Sequence, residues 1–484
     1  MRKEIGEAAA VAIVEGELAG SNLARLHGLL RPCFSRVEPF VQAGKYVAAL
    51  MTDLPRKNGW TVAEHAGDAT PDRMQRLLNH AVWDHAVWDH AVWDHAVWDH
   101  AVWDHAVWDH AVWDHEAAIA AIRGLVTEVL GNRPLRVAAV DESGQQKQGR
   151  ATAGVQRQYM GCAGRVANGV NTVYCSYATD SGHALVGAKI YVPVNQLNDP
   201  DRRAALGIGD DVVFRTKWQL ATDIFVDMVA EGTMPPWCAA DEVYGRAGDF
   251  RAFLEGNGTG YVVRVGCAFQ VDVASGPPIR ADDLVRRFLL PESWQICSVA
   301  GSKGERAYAW AWVGTASPRH FLLIRQHLDT GELAYHYCYV PPGEPIQFMT
   351  LVRVACLRWP VEEDFEFGKD QFGLDQSQVR LYTALFRHIV LTMAALAVCA
   401  ITATQAKTRA SAPVLPHTPD DQPPPDIGMI ALTIAEIKRL FALVTRQIWP
   451  DTHHLHWNLW RRRHQTRARW FHHRTRLRRQ HQPA

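Results

Sequence analysis

The sequence predicts an α/β protein with a mixed β-sheet, preceded by a helical region and followed by a basic tail. Three observations lead to this prediction. Apolar residues recur at three- and four-residue spacing in residues 1–131, as on amphipathic helices. From Asn132 onward, β-rich runs appear and then alternate with helical patterns, which is typical of an α/β domain. The last 34 residues contain nine arginines and one aspartate, so they carry about +8 on a chain of zero formal net charge.

The helical region contains an unbroken repeat, AVWDH, which occurs seven times from Ala81 to His115. Successive copies rotate by about 140° around a helix, so their tryptophans form no single apolar stripe. In a strand, the odd period turns each copy to the opposite face. Because the flanking sequences join smoothly through one copy, we interpret the other six as a tandem expansion within a helix. The alternative is a metal-binding or assembly module of repeated His and Asp, although ligands that spiral around a helix do not converge on one ion.

The first part of the predicted core covers residues 132–268. A short apolar run begins at Pro134 and ends at Asp141, and a later run, which starts at Pro236, leads to Asp241. Between them lie further β-rich runs and one helix that continues to about residue 230. The runs cover 171–178, 184–192 and 211–215.

The second half of the chain divides into four predicted segments. Residues 269–348 have the turn signals of an all-β insertion, and helical character returns in residues 349–407, the second part of the core. Residues 408–428, rich in Pro and Asp, are a predicted linker. Residues 429–484 form a final helix and the basic tail. That helix is predicted to begin near Thr433, where Thr433 and Glu436 resemble a capping box.

Composition excludes several protein classes. The nine cysteines are scattered, with no C-x-x-C pair, which indicates reduced thiols and neither a disulfide frame nor a zinc site. Acidic residues interrupt the N-terminus, which is therefore no signal peptide. The uncharged run from Ile389 to Ala403 is shorter than the roughly 20 residues that span a bilayer, so it is interpreted as a buried core helix. We expect a soluble cytoplasmic protein that contacts no membrane.

Asp141 and Asp241 are the first candidate catalytic residues, because each follows a short apolar run. Ligands of open α/β sheets lie at the carboxyl ends of strands, so both acids are expected to face one crevice. Hard cations such as Mg²⁺ prefer oxygen ligands of this type. An aspartate in this position also serves as a helix cap or turn residue, and for either acid alone that interpretation is favoured.

Glu362 is the third candidate. At about 100° per residue, Arg358, Glu362 and Lys369 fall on one stripe of a helix, beside an apolar stripe that contains Val361 and Phe365. An acid between two cations suits a metal ligand with phosphate-contacting neighbours. A solvated amphipathic helix with ion pairs between successive turns explains the same spacing equally well.

These motifs together resemble the DDE transposases of the insertion-sequence 4 superfamily, whose signature is Tyr-(2)-Arg-(3)-Glu-(6)-Lys. The runs Val-Asp-Glu-Ser-Gly at Asp141 and Ala-Asp-Glu-Val-Tyr-Gly at Asp241 are similar to the acidic motifs of its insertion-sequence 701 family. Two departures stand out: Ala355 occupies the signature's tyrosine position, and the AVWDH array is foreign to the family. The similarity extends over most of the chain, through 56–60, 157–159, 182–185 and 460–465.

The resemblance implies a ribonuclease-H-like core, formed by residues 132–268 and 349–407, with an inserted β domain between the second and third acids. It implies that Asp141, Asp241 and Glu362 are the catalytic acids and bind two divalent metal ions, Mg²⁺ or Mn²⁺. The expected partners are double-stranded DNA, both the element's terminal inverted repeats and the target, and a second copy of the chain in a dimeric DNA complex. The expected cellular location is the nucleoid within the cytoplasm.

The residues expected to contact DNA fall into three sets. Arg358 and Lys369 are expected to hold phosphate near the scissile bond, and Lys147 is a further expected DNA contact. In the β insertion, Trp310 and Trp312 lie with Tyr308 on one face of a probable strand, where stacking on an extruded base competes with core packing, the favoured interpretation. The tail is expected to grip the DNA backbone or, as the alternative, to be disordered or packed on itself; its predicted contacts are Arg461, Arg462, Arg463, Arg467 and Arg469.

Two rival functions stay open at this point. A catalytically inactive transposase relic that still binds DNA is supported by Ala355 and the repeat array. A glycoside hydrolase with paired carboxylates is the other rival, but it explains neither the cations around Glu362 nor the arginine-rich tail.

Overall fold

The structure is a computed structural model that describes residues 2–79, 113–301, 304–407, 421–422 and 431–480. Residues 81–112 of the repeat array lie outside the described residues. So do residues 408–420 and 423–428 of the predicted linker.

Five helices form the described part of the N-terminal region, as the apolar spacing predicts. Their amphipathic faces pack into one large core, in which Leu26, Tyr46 and Ile122 are fully buried. The helices are α1 (Arg2–Leu30), α2 (Val37–Leu50), α3 (Gly59–His65), α4 (Asp72–Leu78) and α5 (His115–Leu130).

The last copy of the repeat contributes to this core. Trp113 is 3% exposed, stacks on Phe34 at 5.0 Å, and donates its indole N–H to the carbonyl of Leu77 at 3.0 Å. Asp114 accepts a hydrogen bond from the N–H of Ala117 and caps α5. The prediction of one continuous helix through the single copy is therefore wrong at Trp113, because Trp113 is extended and Asp114 starts a new helix.

A mixed sheet of ten described strands lies at the centre of the molecule, in the order β2-β3-β1-β5-β6-β12-β11-β10-β9, with β4 paired to β3. β1 is antiparallel to β3 and parallel to β5, and β5 is parallel to β6. β7 (Gln270–Val271) and β8 (Ile279–Arg280) form a separate small hairpin. The strands of the large sheet are β1 (Arg136–Gln146), β2 (Gln156–Met160), β3 (Arg165–Thr179), β4 (His183–Ile190), β5 (Trp237–Ala240), β6 (Gly260–Val265), β9 (Gln295–Gly301), β10 (Gly304–Gly314), β11 (His320–Gln326) and β12 (Leu333–Tyr339).

Three local expectations are wrong. The β-rich run 211–215 is no strand: Val213 and Phe214 are exposed and pair with no described strand. Segment 269–348 is not all-β, since α11 (Ala281–Phe288) begins with two acids and ends with two arginines, which favours a helix. β1 also continues past Asp141 to Gln146, because its pairing with β3 continues although its pairing with β5 stops at Val140.

The strands β9–β12 extend the central sheet, through the pairing of β12 with β6, and do not form a second sheet. Helices cover both faces of the parallel part. One face packs against α12 and the other against the helices that surround α14, the long buried helix. The remaining helices are α6 (Val194–Leu197), α7 (Pro200–Ala205), α8 (Lys217–Ala230), α9 (Glu242–Gly245), α10 (Gly248–Gly256), α12 (Phe348–Cys356), α13 (Pro360–Phe372), α14 (Tyr382–Lys407), α15 (Ile434–Val444) and α16 (Asp451–Gln480).

Helix α14 contains the uncharged run 389–403. It is long and apolar enough to cross a membrane by composition, but its apolar window is completely buried inside the protein, as expected of a core helix. The C-terminal segment has two helices where one was predicted, since Pro450 separates α15 from α16. Thr433 caps α15 through the N–H of Glu436, as the capping-box pattern predicts.

Candidate active site

The carboxyl ends of the parallel strands carry a row of polar side chains. In the strand register, Ala139 of β1 lies beside Ala239 of β5, and Ala239 lies beside Val262 of β6. Two residues further along each strand, on the same face, come Asp141, Asp241 and Arg264. The sheet thus brings together the first two acids, which are 100 residues apart in the sequence.

Asp141 is the most buried of these acids, at 8% exposed. One carboxylate oxygen accepts a hydrogen bond from the Arg358 guanidinium at 2.7 Å, and the other accepts the N–H of Glu142 at 2.9 Å. Burial raises the pKa of Asp141 to about 7; Arg358 opposes this rise, whereas Asp241 and Glu362 add to it. The three candidate acids therefore lie within electrostatic reach of one another around Asp141.

Asp241 follows β5 directly and caps the short helix α9. Its side chain accepts a hydrogen bond from the N–H of Val243 at 2.9 Å. Burial raises its pKa and Glu142 raises it further, against the opposing effect of the hydrogen bond from Val243. The cap fixes the carboxylate at the end of the strand.

Arg358 and Glu362 reach the site from the connection between α12 and α13. Helix α12 buries Leu351 and Val354 against the face of the sheet that contains Val137. Helix α13 buries Val361 and Phe365 against the opposite face. The turn between the helices therefore crosses the carboxyl edge of the sheet, and this crossing, with Pro360 in the first turn of α13, brings Arg358 to Asp141.

Glu142, the neighbour of Asp141 in β1, adds to the effect of burial and raises the pKa of both Asp141 and Asp241. Lys217, at the start of α8, forms an ion pair with it, and the Tyr244 hydroxyl donates to it at 3.0 Å. Neither partner was predicted from the sequence. Only Tyr244, three residues after Asp241, had a signal in the sequence, whereas Lys217 comes from a helix that packs under the site.

The acids that follow Glu362 on α13 connect this helix to the sheet. Asp364, fully buried, accepts hydrogen bonds from Ser176 Oγ and from His183 Nδ1 at 2.9 Å. His183 Nε2 lies 3.3 Å from Glu363. Burial opposes the charged imidazolium, but the two carboxylates outweigh it and raise the pKa of His183 to about 10. Since Ser176 and His183 belong to β3 and β4, these contacts fix α13 to the sheet.

The predicted DNA-contacting lysines lie elsewhere on this edge of the sheet. The Lys147 ammonium donates to the carbonyl of Ser377 at 2.6 Å, and burial lowers its pKa to about 8. Lys369 borders a small cavity together with Asp375, whose raised pKa it moderates after the larger effect of burial. Among the described residues, neither lysine forms an ion pair or a hydrogen bond with the acids around Asp141.

The tryptophans of β10 pack mainly inside the protein. Trp310 is 1% exposed and lies against His336 at 5.9 Å, so its ring packs in the core, which is the interpretation favoured over base stacking. Trp312 is half-buried, stacked on Phe321 at 4.9 Å and in edge contact with Phe348. Both side chains cover the apolar face of the sheet, as the favoured interpretation, core packing, predicts.

The basic tail is α16, and it is anchored to the N-terminal helices. Trp457 is completely buried and donates to the carbonyl of Asp68 at 2.9 Å, while Arg461 pairs with Glu64 at 2.5 Å. Arg461 is thus committed to an internal ion pair. The outward side forms a shallow open groove that contains Leu459, Arg462, Arg463, Thr466, Arg467 and Trp470, and Arg469 is exposed nearby.

Among the residues that the structure describes, no three His, Cys, Asp or Glu side chains are grouped closely enough to hold a metal ion as they stand. Asp141 is paired with the Arg358 guanidinium. The chemistry of the donors nonetheless fits a hard divalent cation. They are carboxylate oxygens, Asp141 is desolvated, and mutual repulsion raises its pKa.

Two family models match the chain. The model described as a DDE superfamily endonuclease matches residues 99–280, and the model described as a transposase DDE domain matches residues 218–398. The probable transposase for insertion sequence element IS701 of Microchaete diplosiphon is 28% identical over 152 residues, which are 31% of this chain and 36% of that relative. The chain therefore spans about a third of the length of the curated relative that it matches. These comparisons confirm the resemblance to DDE transposases of the insertion-sequence 701 type.

Two solved structures are also similar. The piggyBac transposase, in a synaptic complex with hairpin DNA, has a TM-score of 0.42 and 10% identity, over 90% of this chain and 77% of that one. The NurA nuclease of Sulfolobus solfataricus has a TM-score of 0.22 and 8% identity, over 51% of this chain and 83% of that one. With both scores below 0.5, neither likeness establishes a shared fold.

Proposed function

We propose that this chain, with its resemblance to DDE transposases, is a DNA transposase that cuts and joins strands at the ends of an insertion sequence. The observation that carries the proposal is the convergence on Asp141. Two further acids, Asp241 and Glu362, raise its pKa, and Arg358 binds it directly, although these residues come from three separate parts of the sequence. A phosphate-processing site needs this combination of acidic donors and a cation beside the reacting group.

The central strands support a ribonuclease-H-like core, within the predicted segments 132–268 and 349–407. Read from β4, the order is β4-β3-β1-β5-β6, with β3 antiparallel to its neighbours and the last three strands parallel. Of the candidate acids, Asp141 then lies on β1, Asp241 just after β5, and Glu362 at the start of α13. Residues 269–348, which add strands to the same sheet, are the proposed insertion, and residues 1–131 and 429–484 are the proposed flanking domains.

Asp141, Asp241 and Glu362 would hold the divalent metal, and the resemblance suggests two Mg²⁺ or Mn²⁺ ions. When bound, such a cation lowers the pKa of a water molecule and withdraws charge from the phosphate. Arg358 would keep Asp141 oriented and face the non-bridging phosphate oxygens. Glu142, held by Lys217 and Tyr244, would keep a fixed negative charge beside Asp241.

In the proposed reaction, a water oxygen attacks the scissile phosphorus and the 3′-oxygen leaves as a hydroxyl. That 3′-hydroxyl then attacks a phosphodiester of the target DNA and releases a target 3′-hydroxyl. Each step exchanges one phosphorus–oxygen bond for another, so positioning and charge are the contributions required of the protein.

The proposed partners are the element's terminal inverted repeats and the target DNA, bound by a dimer at the nucleoid. On α16, Arg462, Arg463 and Arg467 border one groove with the exposed ring of Trp470, which suits a phosphate backbone and an unpaired base. Arg469 is a further proposed contact. Arg461, because of its ion pair with Glu64, is proposed to anchor the helix.

The test uses the purified full chain and end-labelled duplexes that carry the inverted repeats flanking its gene. We expect Mg²⁺-dependent nicking that falls at least about 1,000-fold in Asp141→Asn, Asp241→Asn and Glu362→Gln. The matched control is Glu366→Gln, an exposed acid on the same helix, which should nick at the unmutated rate. Unmutated protein that binds but never nicks would instead favour an inactive relic, for which Ala355 at the signature's tyrosine position is the supporting observation.

A further inference from the structure

The polar row that begins with the two aspartates continues with a group of arginines. His336 of β12 lies directly opposite Arg264 of β6 in the register. Leu323 of β11 lies opposite His336, and Arg325 is two residues further along on the same face. Acidic side chains thus occupy one end of this face of the sheet, and cationic side chains occupy the other.

The two arginines have no direct anionic partner. Among the described residues, neither the Arg264 nor the Arg325 guanidinium forms an ion pair or a hydrogen bond, although Tyr308 and Glu332 act on Arg325 electrostatically. Arg325 lies over the ring of Tyr308 at 4.6 Å. Burial lowers the pKa of Arg325, and Arg264 lowers it further, which places the two cations within electrostatic reach of each other. Half-buried cations without partners are costly unless an anion binds between them.

Two buried nitrogen atoms on the same face are also unsatisfied. His336 is 8% exposed and Trp310 is 1% exposed, and neither His336 Nδ1 nor Trp310 Nε1 has a hydrogen-bond partner. Trp310 lies directly opposite Arg325 in the register, as His336 lies opposite Arg264. Burial lowers the pKa of His336 to about 3, and the arginines at 325, 264 and 358 lower it further, so the ring is neutral beside them. Unsatisfied buried groups of this kind point to a missing partner.

We propose that Arg264 and Arg325 form a second phosphate-binding subsite, next to Arg358, for a phosphodiester of the DNA strand that leaves the acidic site across β6 and β11. This inference rests on the proposed function. The subsite is expected to bind a phosphate beyond the scissile one. Arg358 is already paired with Asp141, and the carboxylates of the acidic site repel a phosphate whose charge is not compensated. Planar guanidinium groups match phosphate oxygens in two-point hydrogen bonds, which lysine does not reproduce.

The experiment measures how the affinity for the inverted-repeat duplex depends on salt, in Ca²⁺-free and Mg²⁺-free buffer. Arg264→Gln and Arg325→Gln should each bind roughly tenfold more weakly and lower the salt slope by about one. The matched control is Arg286→Gln, an exposed arginine of α11 paired only with Asp283 on its own helix, which should keep the unmutated affinity and slope.

A second measurement keeps the test independent of folding. The duplexes of a second set each have one phosphate replaced by neutral methylphosphonate. At one position beyond the cut, this replacement should weaken the binding of the unmutated protein but should not change the binding of Arg264→Gln. Unchanged salt slopes in both variants, or equal sensitivity of variant and unmutated protein at every position, would overturn the subsite. Failure of the unmutated protein to bind any duplex would overturn the proposed function itself, which is a different result.

Discussion

The Arg358 guanidinium donates a 2.7 Å hydrogen bond to the Asp141 carboxylate across 217 residues of sequence. Asp141 is nearly buried, and the removal of its cationic partner leaves a desolvated acid beside Asp241 and Glu362. This contact therefore links Arg358, which belongs to the third motif, to Asp141, the first acid. The charge state of Asp141 depends on it.

The first prediction concerns Arg358→Ala. The nicking rate should fall at least about 100-fold, because a charge-assisted hydrogen bond beside the reacting phosphate is lost and the pKa of Asp141 rises further from about 7. Single-turnover nicking at saturating protein measures the rate apart from binding. Arg353→Gln, an exposed arginine of α12, is the control, and a rate equal to the control's would contradict the role given to Arg358.

The spacing of residues predicted which acids would meet, because motifs at strand ends and on a helix have few ways to converge. The sheet brings Asp141 and Asp241 into neighbouring positions, as the rule for parallel strands implies. The spacing did not predict that Glu142 would also influence the site. That required knowing that α8 delivers Lys217 beneath it, a long-range packing event with no local signal.

The packing of the β10 tryptophans also depends on contacts between residues that are distant in the sequence. Alternation correctly predicted that Tyr308, Trp310 and Trp312 share one face, since all three lie in or against one apolar cluster. It did not predict that α12 would cover that face, because coverage depends on a helix about 40 residues later in the sequence. The helix Ala281–Phe288 was missed because the neighbouring turn signals dominated that segment.

The second prediction compares a buried ion pair with an exposed one. Asp364→Ala should destabilise the protein by about 3–5 kcal/mol, because it leaves the buried cation of His183 with one partner fewer. Arg25→Gln should change stability by less than about 1 kcal/mol, since Arg25 and its partner Glu128 are both well exposed. Urea unfolding measures both values. If Asp364→Ala lost no more free energy of unfolding than Arg25→Gln, the contact between Asp364 and His183 would not stabilise the fold.

The third prediction concerns pH and His388, which is buried between Tyr46 and the carbonyl of Gly373. Nε2 donates to this carbonyl at 3.0 Å, so Nδ1 accepts from the Tyr46 hydroxyl at 3.0 Å and the ring is neutral. Burial lowers the pKa of His388 to about 4. A lowered pKa means that the unfolded chain binds the proton more tightly. The stability contribution is therefore complete above about pH 6.5 and is lost as the pH falls toward 4.

His388→Gln keeps a donor and an acceptor but does not titrate. Between pH 6.5 and 4, its free energy of unfolding should fall by up to roughly 3 kcal/mol less than that of the unmutated protein. Urea unfolding across this range tests the difference, with His454→Gln, on the exposed side of α16, as the control. Parallel pH profiles for His388→Gln and the unmutated protein would refute the assignment.

The fourth prediction concerns the length of the AVWDH array. Trp113 and Leu77 are joined by a 3.0 Å hydrogen bond although 35 residues separate them, so the two ends of the array region lie side by side. Removal of residues 81–110 deletes six copies and leaves Asn79, His80, Ala111 and Val112 to connect Leu78 to Trp113. If the deleted copies add only chain length, the shortened connection lowers the entropy cost of closure by about 2 kcal/mol.

The shortened protein should therefore unfold at a urea concentration no lower than that of the full chain and should keep its DNA binding. Trp113→Ala, by contrast, should cost about 3–5 kcal/mol in either background, because it removes a buried ring stacked on Phe34. A shortened protein that is less stable than the full chain would mean that the other six copies make contacts of their own. That result would revive the interpretation of the array as an assembly module, which repeated His and Asp side chains first suggested.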